Sequence, residues 1–488
     1  MKSETNFRSG LDAKMVLKDA LTLDMTLNPD FSQVESDEPQ VTVNQRYEVF
    51  FPEKRPFFME HASYFSTPQD IFFSRRIVDP EYGIRLTGKV GRWGLGILAA
   101  DDRAPGETIS SGDPDYGRRA NNAVVSIQRD FLKDSHIRFL GTDREFGWSF
   151  NRVASLDTRL HFNHDVFFTG QVVTSRSRSL ESPLLSGNAY YAQLSRSDRK
   201  LQLSSTYTDR SPDFRAELGF VPRTDIREFK NRIGYKWWRE KGALVNFGPA
   251  LTVLRNWNRR GQTQDWQVEA EWYMEFMRLT GLTVKRTEAF ELYDNQRFRK
   301  GFNSYSLNTE WFKWLALQSG YTHGDAVNYY SAAGTVPTLG SSKSANVGLT
   351  LRPTPRLRLD ETYLYGQLKT RSGLVTAANG TTIYNNHILR SKANYQFTRE
   401  LSIRAILDYN GVLPNTSLVS LERSKRISYD LLATYLLHPG TALYVGYTDG
   451  YENLRLDPSR PPYLQRSGAP DMNTGRQVFV KMSYLLRF

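Results

Sequence analysis

Cysteine is absent from the 488 residues, so the chain carries no disulfide framework and no thiolate metal site. Long apolar runs are missing as well. Mean hydropathy is −0.53, and no stretch approaches the roughly 18 consecutive apolar residues of a membrane-spanning helix. That excludes a helical membrane protein. The opening MKSETNFRSG has no apolar core of a secretory signal, so any export signal is expected to lie outside this chain. Helical periodicity of useful length is not visible. GxSxG, HExxH, Walker and GxGxxG motifs are also lacking, which leaves an enzyme reading without a nucleophile, base and oxyanion set, and no cofactor is expected.

Aromatic residues, by contrast, are plentiful: 28 Phe, 26 Tyr and 9 Trp, 13% of the chain, far from the composition of a disordered protein. A polar average combined with many aromatics fits a transmembrane β-barrel, whose strands alternate lipid-facing and lumen-facing residues and cancel in any window average. The alternation is there to be read. Trp266, Val268, Ala270, Trp272, Met274 and Phe276 share one face, against Gln267, Glu269, Glu271, Tyr273 and Glu275. Leu389, Ser391, Ala393, Tyr395 and Phe397 oppose Arg390, Lys392, Asn394 and Gln396, and Leu401 to Tyr409 oppose Ser402, Arg404 and Asp408. Ile84, Leu86 and Val90 oppose Arg85, Thr87 and Lys89, while Leu21 to Leu27 oppose Thr22, Asp24 and Thr26. The charged members, Arg85, Lys89, Glu269, Glu271, Arg390, Lys392 and Arg404, are therefore assigned to the lumen.

Long polar connections near 450–474, 411–425, 369–383 and 323–343 alternate with short turns near 438–441, 398–400, 352–356 and 312–314. Short turns belong to the periplasmic side of such barrels. The rhythm predicts an all-β, antiparallel transmembrane barrel of about 24 strands, within a range of about 22 to 26. Tyr484, Leu486 and terminal Phe488, with Val480 and Met482 on the same face, read as the C-terminal signal recognised by bacterial barrel-assembly machinery. An edge strand of a soluble sheet is the plainer alternative for that pattern alone.

Residues 28–69 break the rhythm, dividing the chain into N-terminal strands over 1–27, this segment, and the main barrel over 70–488. Prolines 29, 39, 52 and 56 forbid continuous ladder pairing. Asp30, Glu35 and Asp37 precede a Pro-Glu-Lys-Arg-Pro core, Glu53, Lys54 and Arg55, flanked by Phe50, Phe51, Phe57 and Phe58. Four phenylalanines need burial, so a plug or constriction inside the lumen is expected, with a periplasmic cap as the alternative. Parity places both ends of the segment on the periplasmic side, and Glu53, Lys54 and Arg55 are expected to pair with charges of the barrel wall.

The strings NPDFSQVESD, FFPEKRPFFME and FFSRRI at 72–77 resemble an uncharacterised family of bacterial outer-membrane β-barrel proteins. Members typically carry an N-terminal domain similar to family-nine carbohydrate-binding modules ahead of the barrel; some are labelled hydrolases. The resemblance implies the barrel region of such a protein, located in the outer membrane of a Gram-negative bacterium, and assigns no sugar-binding residue to this chain.

His161, His164 and Asp165 have a metal-like composition, but they fall on a short turn where polar residues belong anyway. The acidic run Asp30, Glu35, Asp37 and Glu38 lacks EF-hand spacing and reads better as part of a salt-bridge network. His61, beside Glu60, reads as a hydrogen-bonded plug residue rather than a base. The net charge of +12 is dispersed along alternating strands, unlike a nucleic-acid patch, and suits lipopolysaccharide phosphates at the rim and a hydrated lumen. Partners expected on these grounds are outer-membrane lipid, lipopolysaccharide and the assembly machinery, with carbohydrate or a periplasmic or surface protein as further candidates, and no nucleic acid. Three functions remain: a porin-like conduit or uptake protein constricted by residues 28–69, an anchor for another module, and a barrel-embedded hydrolase.

Overall fold

The computed structural model describes residues 9–31, 34–179, 183–239, 241–371, 378–438, 440–459 and 463–484. The chain is almost entirely antiparallel β. The first strands are β1 (Leu11–Leu17), β2 (Leu21–Leu27), β3 (Tyr82–Val90), β4 (Trp93–Asp102), β5 (Ala120–Phe131), β6 (Ser135–Phe146), β7 (Ser149–His161), β8 (Val166–Arg178), β9 (Leu185–Ser197), β10 (Leu201–Arg210) and β11 (Ile226–Tyr235). There follow β12 (Trp237–Trp238), β13 (Leu244–Trp257), β14 (Thr263–Phe276), β15 (Thr280–Tyr293), β16 (Gln296–Phe312), β17 (Leu315–Asn328), β18 (Thr338–Thr354) and β19 (Leu357–Thr370). The last are β20 (Thr382–Gln396), β21 (Leu401–Pro414), β22 (Ser424–His438), β23 (Thr441–Glu452), the hairpin β24 (Leu454–Asp457) and β25 (Tyr463–Arg466), and β26 (Met472–Ser483). Twenty-four of them, all but the β24–β25 hairpin, belong to one sheet.

Two compact units are formed. The first comprises Met1–Asp37, Phe50–Ile233 and Val253–Asp265; the second comprises Glu38–Val49, Gly234–Thr252 and Trp266–Phe488. In the first unit each strand from β1 to β9 pairs with its successor, for example Arg85 opposite Asp24 and opposite Leu98. Turns 18–20, 91–92, 132–134, 162–165 and 198–200 share one end of these strands, and connections 28–81, 103–119, 147–148, 179–184 and 211–225 share the other. The second unit repeats the alternation, with short turns at 313–314, 355–356 and 397–400 and longer connections at 329–337, 371–381, 415–423 and 453–471.

The outward face is apolar, as the alternation predicts. Met25, Leu27, Ile84, Ile97, Ile127, Phe139, Leu156 and Val172 are exposed in the first unit, and Val268, Trp272, Tyr305, Tyr321, Tyr363, Leu389 and Leu407 in the second. Neighbours one residue away, such as Arg85, Thr87, Ser126, Asn151, Gln171 and Arg390, are buried on the opposite face. A soluble protein hides its apolar face; this one hides its polar face, the pattern of a wall standing in lipid. Tyr395, Phe397 and Tyr484 are exposed on that wall, whereas Leu486 and Phe488 of the assembly signal lie outside the described residues.

No strand occurs among the described residues between Leu27 and Tyr82, so the interruption is longer than the 28–69 expected. Its ends also lie on the other side. β2 and β3 run antiparallel with Leu27 opposite Tyr82, and the short turns 18–20 and 91–92 are at their far ends. The segment therefore leaves and rejoins the wall at the end bearing the long connections, not at the short-turn end. The 147–148 connection is as short as any turn on the opposite side, so length alone is an uneven guide to side.

Candidate functional site

The inserted segment 28–81 is the feature that a bare barrel does not need. In the first unit it descends along the inward face of the wall and returns. Pro56 opens a one-turn helix over Pro56–Met59, where its missing N–H costs nothing, and the turn buries Phe58. Phe57 rests on Gly83, where a Cβ would stand 2.8 Å from the ring, near the long-connection end of β3. Phe65 rests on Gly96, where a Cβ would stand 3.0 Å from its ring. Gly96 pairs with Thr87, four residues from the 91–92 turn. The segment thus spans most of the wall's height before Asp79 and Glu81 regain the long-connection end, where their backbone N–H groups donate to Asp102 and Asp101 (2.8 Å each).

Arg85, 1% exposed, joins wall to segment. Its guanidinium donates to the carbonyls of Phe57 and Glu60, to Asp24 Oδ2 at 2.7 Å and to Glu60 Oε2 at 3.3 Å, and lies 5.3 Å from the Phe57 ring centroid. Lys14 completes the cluster by pairing with Glu60 and Asp24. A buried cation is tolerable only with its charge paired, and the segment's own backbone supplies two of the acceptors for its terminal nitrogens. His61 Nδ1 and Thr87 Oγ1 are 2.9 Å apart, so this histidine is a hydrogen-bonded insert residue. Further along, Gln171 accepts from the Gln69 N–H at 2.7 Å and donates to Ser155. Phe58, Phe65, Ile71 and Ile77 close a cluster with Leu98, Val124, Leu140, Val153 and Val173 of the wall.

The charges of the Pro-Glu-Lys-Arg-Pro core do not reach the wall, contrary to expectation. Glu53 accepts from the Arg55 side chain at 2.7 and 2.9 Å, from the backbone N–H groups of Lys54 and Arg55, and from Ser74 at 2.8 Å. Arg55 also donates to the carbonyls of Ser74 and Ile77 and stacks 4.4 Å from the Phe58 centroid. Lys54 donates to the Ser36 carbonyl at 2.7 Å, and Asp37 pairs with Arg75 at 2.5 and 2.9 Å. Partners two to about forty residues apart in sequence staple the segment to itself, because a short loop loses less entropy on closure than a long one. Burial pushes the Glu53 carboxyl up, but the bonds from Arg55 outweigh it and hold the group below its ordinary value. Phe50 joins an aromatic triad with Phe73 and Phe220, at 4.9 and 5.2 Å; Phe51 lies 5.9 Å from the Arg75 guanidinium. Asp30 and Glu35 have interactions of their own within the described residues.

A second piece was not anticipated. Residues 211–225 fold inward: Phe214 and Leu218 are fully buried in the same cluster. The Leu218 carbonyl accepts from Phe73 N–H at 2.6 Å, and Asp70 carbonyl accepts from Phe220 N–H at 2.7 Å. Phe214, Leu218 and Phe220 between Pro212 and Pro222 were the available signal, an apolar motif inside a connection long enough to be dismissed as polar loop.

In the second unit residues 38–49 sit at the long-connection end. Asn44 donates to the Val327 carbonyl at 2.8 Å and accepts from Tyr329 N–H at 2.9 Å. Arg46 pairs with Glu291 at 2.8 Å, and Glu291 also engages Lys300 and the Tyr329 hydroxyl. Burial and the adjacent Glu291 carboxylate push the Tyr329 phenol well above its ordinary value. Elsewhere the inward charges pair laterally: Lys285 with Glu269 and Glu271 at 3.3 and 3.0 Å, Arg390 with Asp408 at 3.7 Å, Arg404 with Asp430 at 3.6 Å. Lys392 faces the same way, opposite Asp360. In the first unit Lys89, half exposed, pairs with Asp130 at 2.5 Å.

No group of three or more His, Asp or Glu residues among the described residues is placed to hold a metal ion. His161 instead stacks on Phe167 at 5.7 Å.

A family model described as a domain of unknown function, DUF5916, matches residues 1–84. No curated protein matches. Among solved structures, a copper transporter, OprC, is 10% identical, with 76% of this chain and 71% of that one covered, at a TM-score of 0.52. The siderophore receptor PirA from Pseudomonas aeruginosa is also 10% identical, with 75% and 71% covered, at 0.53. Likeness at this identity concerns the fold alone, and with the apolar outward face it gives the chain the fold of an outer-membrane β-barrel.

Proposed function

We propose that this chain is an outer-membrane uptake barrel whose lumen is constricted by residues 28–81. The observation that carries the reading is the descent of Phe57 to Ile77 along the inward face of the first unit, from the long-connection end nearly to the short turns, held by Arg85 and by the apolar cluster. A barrel that served only as an anchor has no use for a self-stapled segment lining its inward face. By the rule that short turns are periplasmic, the segment enters from the cell exterior. The solved structures that share the fold are named as a copper transporter and a siderophore receptor, and this favours import of a bound solute over free diffusion. Lipopolysaccharide around the wall and the assembly machinery at the C-terminus go with this placement.

Replacing residues 40–66 by a short Gly/Ser bridge tests the reading in planar bilayers. The folded deletion is expected to show a higher single-channel conductance than the intact chain. Unchanged conductance would sink the constriction and move the anchor reading ahead.

A further inference from the structure

At the short-turn end of the second unit, a cavity of about 470 Å³ opens between the 355–356 turn and the 397–400 turn. This size is within the range of small-ligand sites. Its lining is unusual in charge. Arg352, Arg356, Arg358 and Arg404 contribute to it, with the amides of Asn394 and Gln396, and its lining includes no carboxylate.

Register explains the convergence. Arg358 lies opposite Asn394, Asn394 opposite Arg404, and Arg404 opposite Leu432, one unbroken cross-strand row through β19, β20, β21 and β22. Neighbouring strands are about 4.8 Å apart, so the two arginines of the row are about 10 Å apart with an amide between them. Leu432 is buried, whereas Leu431 beside it is exposed to the lipid side, so the row is on the inward face.

Two of the four cations are already committed: Arg358 pairs with Asp360 at 2.9 Å and Arg404 with Asp430 at 3.6 Å. The other two are not. Among the described residues neither the Arg352 nor the Arg356 guanidinium meets a carboxylate or any other side-chain partner. Inward cations such as Lys285 and Arg390 on the same wall are matched by adjacent acids, so two uncommitted guanidiniums in a concave site stand out. A guanidinium presents a planar fork of donors that matches a carboxylate or phosphate in two-point geometry.

We infer that this cavity binds a small multivalent oxyanion, a polycarboxylate or a phosphate ester, through Arg352 and Arg356 with Asn394 and Gln396 as neutral donors. The site deepens the uptake reading by giving the solute a chemical class, that of an anion held at the inner mouth of the wall. Citrate and pyrophosphate are the probes, titrated calorimetrically into the intact, detergent-solubilised chain at constant ionic strength. Arg352→Gln/Arg356→Gln is expected to weaken binding of at least one probe tenfold or more, because both residues flank an exposed turn and leave the fold intact. Arg278→Gln/Lys313→Gln, at two other short turns, is expected to leave it unchanged. Preference for citrate assigns a carboxylate ligand and preference for pyrophosphate a phosphate; either supports the site. No saturable binding by the intact chain, or equal binding by the double variant, would overturn it. Because the titration reads binding alone, a sealed barrel that binds a probe leaves this site standing while refuting uptake.

Discussion

The inward faces of the two units differ in how much apolar surface they carry, although their outward faces are alike. In the first unit the inward positions include Gly83, Gly96, Leu98, Ala100, Val124, Leu140, Val153 and Val173, small or apolar residues buried beneath the inserted segment. In the second unit many are charged and paired laterally, as in Lys285 with Glu269 and Glu271. The difference shows what each wall faces. A wall that is covered by protein becomes a core, close-packed and intolerant of volume change, whereas one that faces water keeps ions. The alternation along a strand reports the lipid side in both; only the inward residues report whether something is docked there.

The comparison breaks most sharply at Arg85. Arg85→Met leaves two segment carbonyls without their donor and Asp24 with Lys14 alone, and breaking a buried pair costs about 3–5 kcal/mol. Urea unfolding of the folded barrel in lipid is expected to shift by that amount, with faster amide exchange over residues 57–65. On the outward face Ala270→Arg should cost about 2–4 kcal/mol if it lies at the bilayer midplane. Gln318→Arg, inward and exposed on β17, should change stability by no more than about 0.5 kcal/mol. The same unfolding measurement decides both, and equal costs would mean that the two faces have been assigned wrongly.

Gly96→Val sharpens the contrast more gently. Its side chain must displace Phe65, and overpacking of this kind costs about 1–3 kcal/mol; the corresponding change at Gly348, whose Cβ would meet only Gln318 at 3.9 Å, should be tolerated. The smallest effect expected is of pH. Glu53 is held below its ordinary value of 4.5, so its pairing stabilises the segment fully above that pH and is lost as pH falls through the depressed value. Amide exchange over residues 53–58, corrected for its intrinsic pH dependence, should therefore be flat from pH 7 to about 5 and accelerate only in stronger acid. Acceleration between pH 7 and 6 would assign control to another group.

Much of the architecture was legible because lipid imposes a period of two. Trp272 and Val268 outward, and Arg85 and Arg390 inward, follow from that period alone. The inserted segment was legible from its prolines, which cannot join a ladder. Its side of entry was not, because the two-residue connections at 147–148 and 294–295 stand where the rhythm calls for long ones. Nor were the partners of Glu53 and Arg55, since a charged motif in sequence does not say whether its counter-ions are local or across the fold. Residues 211–225 escaped because burial of Phe214 and Leu218 depends on the segment they meet, a tertiary fact without periodic trace. The glycines of β3 and β4 were the overlooked signal: alternate small residues on an inward face mark a seat for rings.

The central claim is that the segment lies against the wall near the short turns, and the absence of native cysteine makes it directly testable. A Cβ at Gly96 would stand 3.2 Å from the Tyr64 Cβ, close to the roughly 3.5–4.5 Å of a disulfide. Tyr64→Cys/Gly96→Cys, assembled in outer membranes and treated with a mild oxidant, is expected to cross-link in high yield, visible as a reducible mobility shift of the unfolded chain. Two thiols that stay free and react with a maleimide added from the periplasmic side would contradict the account, because the segment would then lie outside the wall it is described as lining.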